Sequence, residues 1–123
     1  MLKVLFNIKR LPHFSHAQFD IYWKDRHAPL VRANAETLGI RRYVQTATLD
    51  MPQAQSAIRA SRGCLNVEFD GSAELWWDDM EAHLSPRNTP EGRKALEILI
   101  EDERRFIDFT QSQIWYAIER VIL

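Results

Sequence analysis

The stretch CLNVEFDGSAELWWDD, residues 64–79, can be read in two ways, and the choice sets the fold. Asp70-Gly71 is a strong signal for a two-residue hairpin. That hairpin would set Phe69 opposite Ser72 and Val67 opposite Glu74, which mixes polar groups onto the apolar face. One continuous strand instead puts Leu65, Val67, Phe69, Gly71, Ala73, Leu75 and Trp77 on a single face. The single strand is the better solution, with Gly71 as a bulge or a point of close backbone approach.

Working outward, Leu2, Val4, Phe6 and Ile8 alternate with Lys3, Asn7 and Lys9, the period of a strand with one buried face. Leu11 to Phe14 form a connection, and Ser15 with Gln18 make a capping box. The pattern predicts a helix from His16 to about Leu38, closed by Gly39 as the left-handed residue after it. A β-branched and aromatic run, Ile40 to Leu49, predicts a second strand. Residues 50–63 carry no firm period and read as a loop, with at most one helical turn after Pro52. Beyond the long strand, Asp78 and Glu81 form a second capping box for a short helix to about Leu84. Thr89 and Pro90 read as N-cap and first residue of a third helix that runs to about Phe109. Gln113 to Leu123 is the last strand, with Ile114, Tyr116, Ile118 and Ile122 on one face.

The order β-α-β-β-α-β predicts an α+β, ferredoxin-like antiparallel sheet with its helices on one face. The other face then carries Lys3, Leu5, Asn7, Arg42, Val44, Asn66, Glu68, Glu74, Trp76, Gln113, Trp115, Val121 and Leu123. Leaving Trp76, Trp115 or Leu123 wet forgoes about 1.5–3 kcal/mol of burial each. A second copy of the same sheet is the simple cover, so a homodimer through the open sheet face is expected.

The chain of 123 residues suits one domain. Its 16 basic and 17 acidic residues nearly cancel, and no basic stripe marks a nucleic-acid surface. One cysteine, Cys64, excludes an internal disulfide framework and fits a reducing, cytoplasmic setting. No apolar run suits a signal peptide or a membrane span. With only 4 glycines there is no nucleotide fingerprint, and His13 and His16 lack the further ligands a zinc site needs. Neither a cofactor nor a metal is expected.

Candidate chemistry collects on two helices. Ala95, Leu96, Leu99, Ile100, Phe106 and Ile107 define an apolar stripe; Glu103 projects into its middle and Asp102 sits at its edge. A carboxylate there is either paired, for example with Arg42, or held as a carboxyl of raised pKa suited to acid–base work. On the first helix, Phe19, Trp23 and Leu30 define an apolar face that also holds His27. Pro29 removes an amide and disfavours helical angles at Ala28, so a kink or break is expected near residues 25–28. Such a break would let His27 point into a gap between helix and sheet; the other reading is a core histidine satisfied by a backbone carbonyl. Tyr22 lies at the edge of the same face, within reach of a ligand oxygen or of water. Trp23, Trp77 and Phe106 read singly as core, but with His27 and Glu103 they describe an apolar cavity with a few polar groups. Leu30, Arg42 and Asp102 complete the expected substrate contacts. His83 reads as a surface residue and Cys64 as inert.

Four segments, FDIYWKDRHAPLV, LGIRRYVQ, DGSAELWWDD and EDERRFID, resemble in sequence and order the EthD family of dimeric α/β barrels. The resemblance spans nearly the whole chain. It implies the fold and a dimer, and a link to ether-degradation clusters and to tailoring of aromatic polyketides and pigments. The match at HAPLV favours His27 as a pocket residue, and the match at EDE keeps open the reading of Glu103 as a functional carboxyl. The expected protein is a cofactor-independent enzyme for a small, apolar, oxygenated aromatic or ether-like compound. In it His27 moves a proton, Glu103 orients or polarises, and Tyr22 donates to an oxygen. The family description adds an oxidoreductase label. The alternatives are a non-catalytic small-molecule-binding accessory protein and a haem-binding barrel with His27 or another histidine as axial ligand.

Overall fold

The computed structural model describes all residues, 1–123. Four strands, β1 (Leu2–Ile8), β2 (Arg42–Ala47), β3 (Gly71–Trp77) and β4 (Gln113–Ile118), form one sheet in the order β2-β3-β1-β4. Every neighbouring pair is antiparallel. The helices are α1 (His16–Tyr22), α2 (Ala28–Leu38), α3 (Pro52–Ala60), α4 (Met80–Leu84) and α5 (Pro90–Glu103). None is long and apolar enough to cross a membrane. The expected ferredoxin-like α+β architecture is present.

The core has two parts. Ile8, Phe19, Trp23, Ala73, Phe106 and Ile107 pack between α1 and the sheet. Val31, Leu38, Ala95 and Leu99 join α2 to α5. Gly71 is the predicted close approach, since a Cβ there would meet the Trp23 ring at 2.6 and 2.8 Å and Thr46 O at 3.0 Å.

The strand read as Leu65–Trp77 starts only at Gly71. Both partners stop there, Ile8 and Ala47 pairing with Gly71, so residues 64–69 have no strand beside them, and Leu65 and Val67 are exposed. Buried Asp70 marks the corner: it accepts from Arg10 N–H at 2.8 Å and Arg10 Nη1 at 2.7 Å, and lies 2.8 Å from His16 Nδ1. The last strand likewise ends at Ile118, because β1 begins at its partner Leu2. The second strand is shorter than Ile40–Leu49 at both ends. Residues 52–60 of the expected loop form α3, which buries no side chain and so leaves no apolar period to read. The third helix stops at Glu103, short of Phe109, and a turn carries Phe106 and Ile107 back into the core. The N-cap of α4 is Asp79, accepting from Ala82 N–H at 2.8 Å, rather than Asp78.

The first helix does not break at Pro29. Trp23–His27 form a π-helical turn between α1 and α2, and Ala28 keeps helical angles with its N–H on Trp23 O. The wider turn absorbs the proline and adds a residue to the helix, which re-aims the side chains before it. On the outer face of the sheet, Trp76 is only 5% exposed. Lys3 Nζ and the Arg42 guanidinium lie 4.5 and 4.7 Å from its ring, so this chain covers the tryptophan by itself. Trp115, at 43%, stays open.

Candidate functional site

A cavity of about 450 Å³ lies between α5 and the helix-facing side of the sheet. Of its 16 lining residues 13 are apolar, including Val4, Phe6 and Leu75 from the strands and Leu96, Leu99 and Ile100 from α5. The helical spacing of those three residues turns one face of α5 onto the space.

Glu103, the last residue of α5, lines this cavity. No cation pairs with its carboxylate, and Arg42, the partner considered from sequence, lies on the other side of the sheet beside Trp76. Burial pushes the Glu103 carboxyl up to about 7, with the neighbouring Asp102 charge adding to the rise and Arg104 opposing it. It is therefore a carboxyl whose proton affinity is raised toward neutral pH in a mostly apolar space.

Behind it sits a second polar group of contacts. His27 Nδ1 lies 2.7 Å from Asp102 Oδ2, and Tyr22 Oη donates to Asp102 Oδ1 at 2.7 Å. Arg105 Nη1 donates to the same oxygen at 3.2 Å. His27 and Asp102 are each 4% exposed. These partners hold the Asp102 carboxyl below its ordinary value although burial opposes them. Burial lowers the His27 pKa against the pull of Asp102, which favours a neutral ring donating Nδ1–H to the carboxylate. The π-helical turn brings His27 to α5, where its ring stands 5.0 Å from that of Phe106.

The expected site residues therefore separate. Glu103 and Trp77 line the cavity. Tyr22, His27 and Asp102 meet one another outside its lining. Trp23 and Phe106 are solid core, and Leu30 packs against the cluster joining α2 and α5. Arg42 belongs to the outer face. The backbone carbonyl imagined for His27 is replaced by the Asp102 carboxylate.

His83 is the residue most misjudged from sequence. It is 7% exposed and lines the cavity, edge-on to Trp77 at 4.3 Å between ring centroids. Its Nε2 lies 2.9 Å from Tyr116 Oη and 3.4 Å from Arg87 Nη2. Tyr116 and Arg87 also line the cavity, and neither was singled out. Tyr116 shares a face with Ile114 in the β4 alternation, a signal that was available; nothing local marks His83 or Arg87.

The family model for the EthD domain matches residues 11–110. An ethyl tert-butyl ether degradation (EthD) family protein from Bacillus halodurans superposes with a TM-score of 0.61 at 22% identity, covering 98% of this chain and 100% of that one. An EthD-like protein from Ralstonia eutropha gives 0.61 at 17% identity, covering 97% and 94%. SnoaB from Streptomyces nogalater, described as a cofactor-independent oxygenase, gives 0.57 at 15% identity, covering 99% and 95%. At these identities the structures speak to the fold. No curated protein matches the sequence.

Proposed function

The chain belongs to the EthD family, and from that premise we propose that it is a small-molecule enzyme in which Glu103 exchanges a proton with an apolar, oxygenated substrate held beneath α5. One observation carries this reading: an unpaired carboxyl with a pKa of about 7 faces a mostly apolar cavity of about 450 Å³. That volume suits a ring system of drug-like size.

As a base, Glu103 takes a proton from a carbon next to a carbonyl, or from a phenolic or enolic hydroxyl. As an acid it returns the proton at another position. Isomerisation, dehydration and decarboxylation follow from such steps. The enolate or phenolate formed is also electron-rich enough to reduce dioxygen itself, a route compatible with the oxygenase description of SnoaB. The reading asks for no cofactor. Tyr22, His27 and Asp102 take supporting roles: the first two keep Asp102 ionised, and that charge adds to burial in raising the Glu103 carboxyl. In this proposal two copies associate through the outer sheet face, covering Trp115.

The test uses 2-tetralone in D2O, with loss of its α-hydrogens followed by NMR. The expected result is accelerated exchange that falls by about 100-fold in Glu103→Gln, the usual scale of one general base. If the ketone binds and Glu103→Gln exchanges it equally fast, the protein is a binding or accessory module.

A further inference from the structure

His83 holds the one buried side-chain nitrogen or oxygen without a hydrogen-bond partner, its Nδ1. Arg87 Nη2, 3.4 Å from Nε2, can only donate, so Nε2 serves as the acceptor and the ring hydrogen resides on Nδ1. Burial first, and the Arg87 charge second, lower the His83 pKa and favour this neutral ring. The result is a buried N–H donor with nothing to donate to, in a residue that lines the cavity. Nδ1 itself is closed off, and the same tautomer leaves Nε2 as the acceptor that holds Tyr116 Oη and Arg87 beside the cavity.

Two further groups stand beside it. Arg87 has no carboxylate partner, so a positive charge borders the cavity without a counterion. Tyr116 Oη adds a hydroxyl at the same place. This cluster and Glu103 lie at different ends of α5. Arg87 is in the short 3-10 helix Ser85–Asn88, and Gly92 in the first turn of α5 packs on Pro86 so tightly that a Cβ would strike its carbonyl. Glu103 ends the helix, about 16 Å further along at 1.5 Å per residue. Leu96, Leu99 and Ile100 line the space between.

We propose that His83, Arg87 and Tyr116 form an anion-recognising end of the cavity, so that the ligand is an elongated apolar carboxylate whose acid group binds there, remote from Glu103. This rests on the cavity being the ligand site, as proposed above. The carboxylate supplies the counterion Arg87 lacks, while its apolar body fills the space along α5. Glu103 then meets the far end of the molecule, and the acid group is a handle rather than the reacting group.

The experiment compares two probes of one shape, 2-naphthoate and 2-methylnaphthalene, by quenching of tryptophan fluorescence, Trp77 being part of the lining. The naphthoate is expected to bind about tenfold tighter, the scale of one charge-assisted hydrogen bond at a partly open site. Arg87→Met, at an exposed position, should remove that preference and leave 2-methylnaphthalene unchanged. Tyr116→Phe, also exposed, should reduce it less. Equal binding of both probes, or a preference that survives Arg87→Met, overturns the anion end and leaves the cavity as a ligand site. Binding of neither probe overturns both readings.

Discussion

Replacing Glu103 by glutamine tests the electrostatics of the cavity without any substrate. The carboxyl rises from an ordinary 4.5 to about 7 because its charge is poorly solvated between α5 and the sheet. At 1.36 kcal/mol per unit, that rise corresponds to about 3 kcal/mol of folding stability. The folded pKa lies above the unfolded one, so between the two values the folded state binds more protons and stability falls as pH rises. The penalty is absent while both states are protonated, grows through the interval from 4.5 to about 7, and is complete above it. Glutamine carries no charge at any pH and never incurs it. Urea unfolding of both proteins, at one fixed concentration so that self-association cancels, gives the difference directly. Relative to wild type, Glu103→Gln should gain little at about pH 4 and about 3 kcal/mol more at about pH 8. Any constant offset from burying an amide drops out, since only the slope is read. A difference that stays flat across this range would show that Glu103 is an ordinary solvated carboxylate, and the proton-exchange proposal would lose its basis.

Asp102→Asn removes the negative charge beside Glu103 as well as the partner of His27 and Tyr22. The Glu103 titration, followed by carbon NMR of the carboxyl, should move down from about 7; an unmoved titration would rule out coupling between the two acids. Gly71→Ala pushes a methyl against the Trp23 ring and Thr46 O, and should lower stability by about 1–3 kcal/mol in urea unfolding. A loss below about 0.5 kcal/mol would contradict the close approach. Asp70→Asn breaks the corner with Arg10 and His16, and should cost about 3 kcal/mol at neutral pH. The folded Asp70 carboxyl titrates below its ordinary 3.8, so its contribution is present above that value and is lost as pH falls below it. The gap between mutant and wild type should therefore close in acid; a gap that stays constant would assign the loss to packing alone.

How far the site could be read in advance depends on which contacts are local. Alternation in β1 and β3, the Ser15–Gln18 capping box, Gly39 at the end of α2 and Thr89-Pro90 before α5 are each decided by a few neighbouring residues. They were legible, and with them the strand and helix order. Glu103 was legible too, because a carboxylate inside an apolar stripe conflicts with its own helix wherever that helix packs. What a strand pairs with is not local. Residues 64–69 keep their alternation but find no neighbouring strand, and so lie outside the sheet. The buried partner of His27 lies 75 residues away, and it took the π-helical turn to bring the ring to Asp102.

The sequence by itself determined the α+β order, the face each strand turns inward and the presence of one misplaced acid on α5, because period, caps and polarity act over a single turn or pleat. Only the tertiary structure decided which groups share the cavity. It set His27 against Asp102, sent Arg42 to the far side of the sheet, and brought His83, Arg87 and Tyr116 together from separate elements. Those groupings are set by packing between distant segments, where burial and hydrogen-bond satisfaction of the whole chain outweigh what any short stretch prefers.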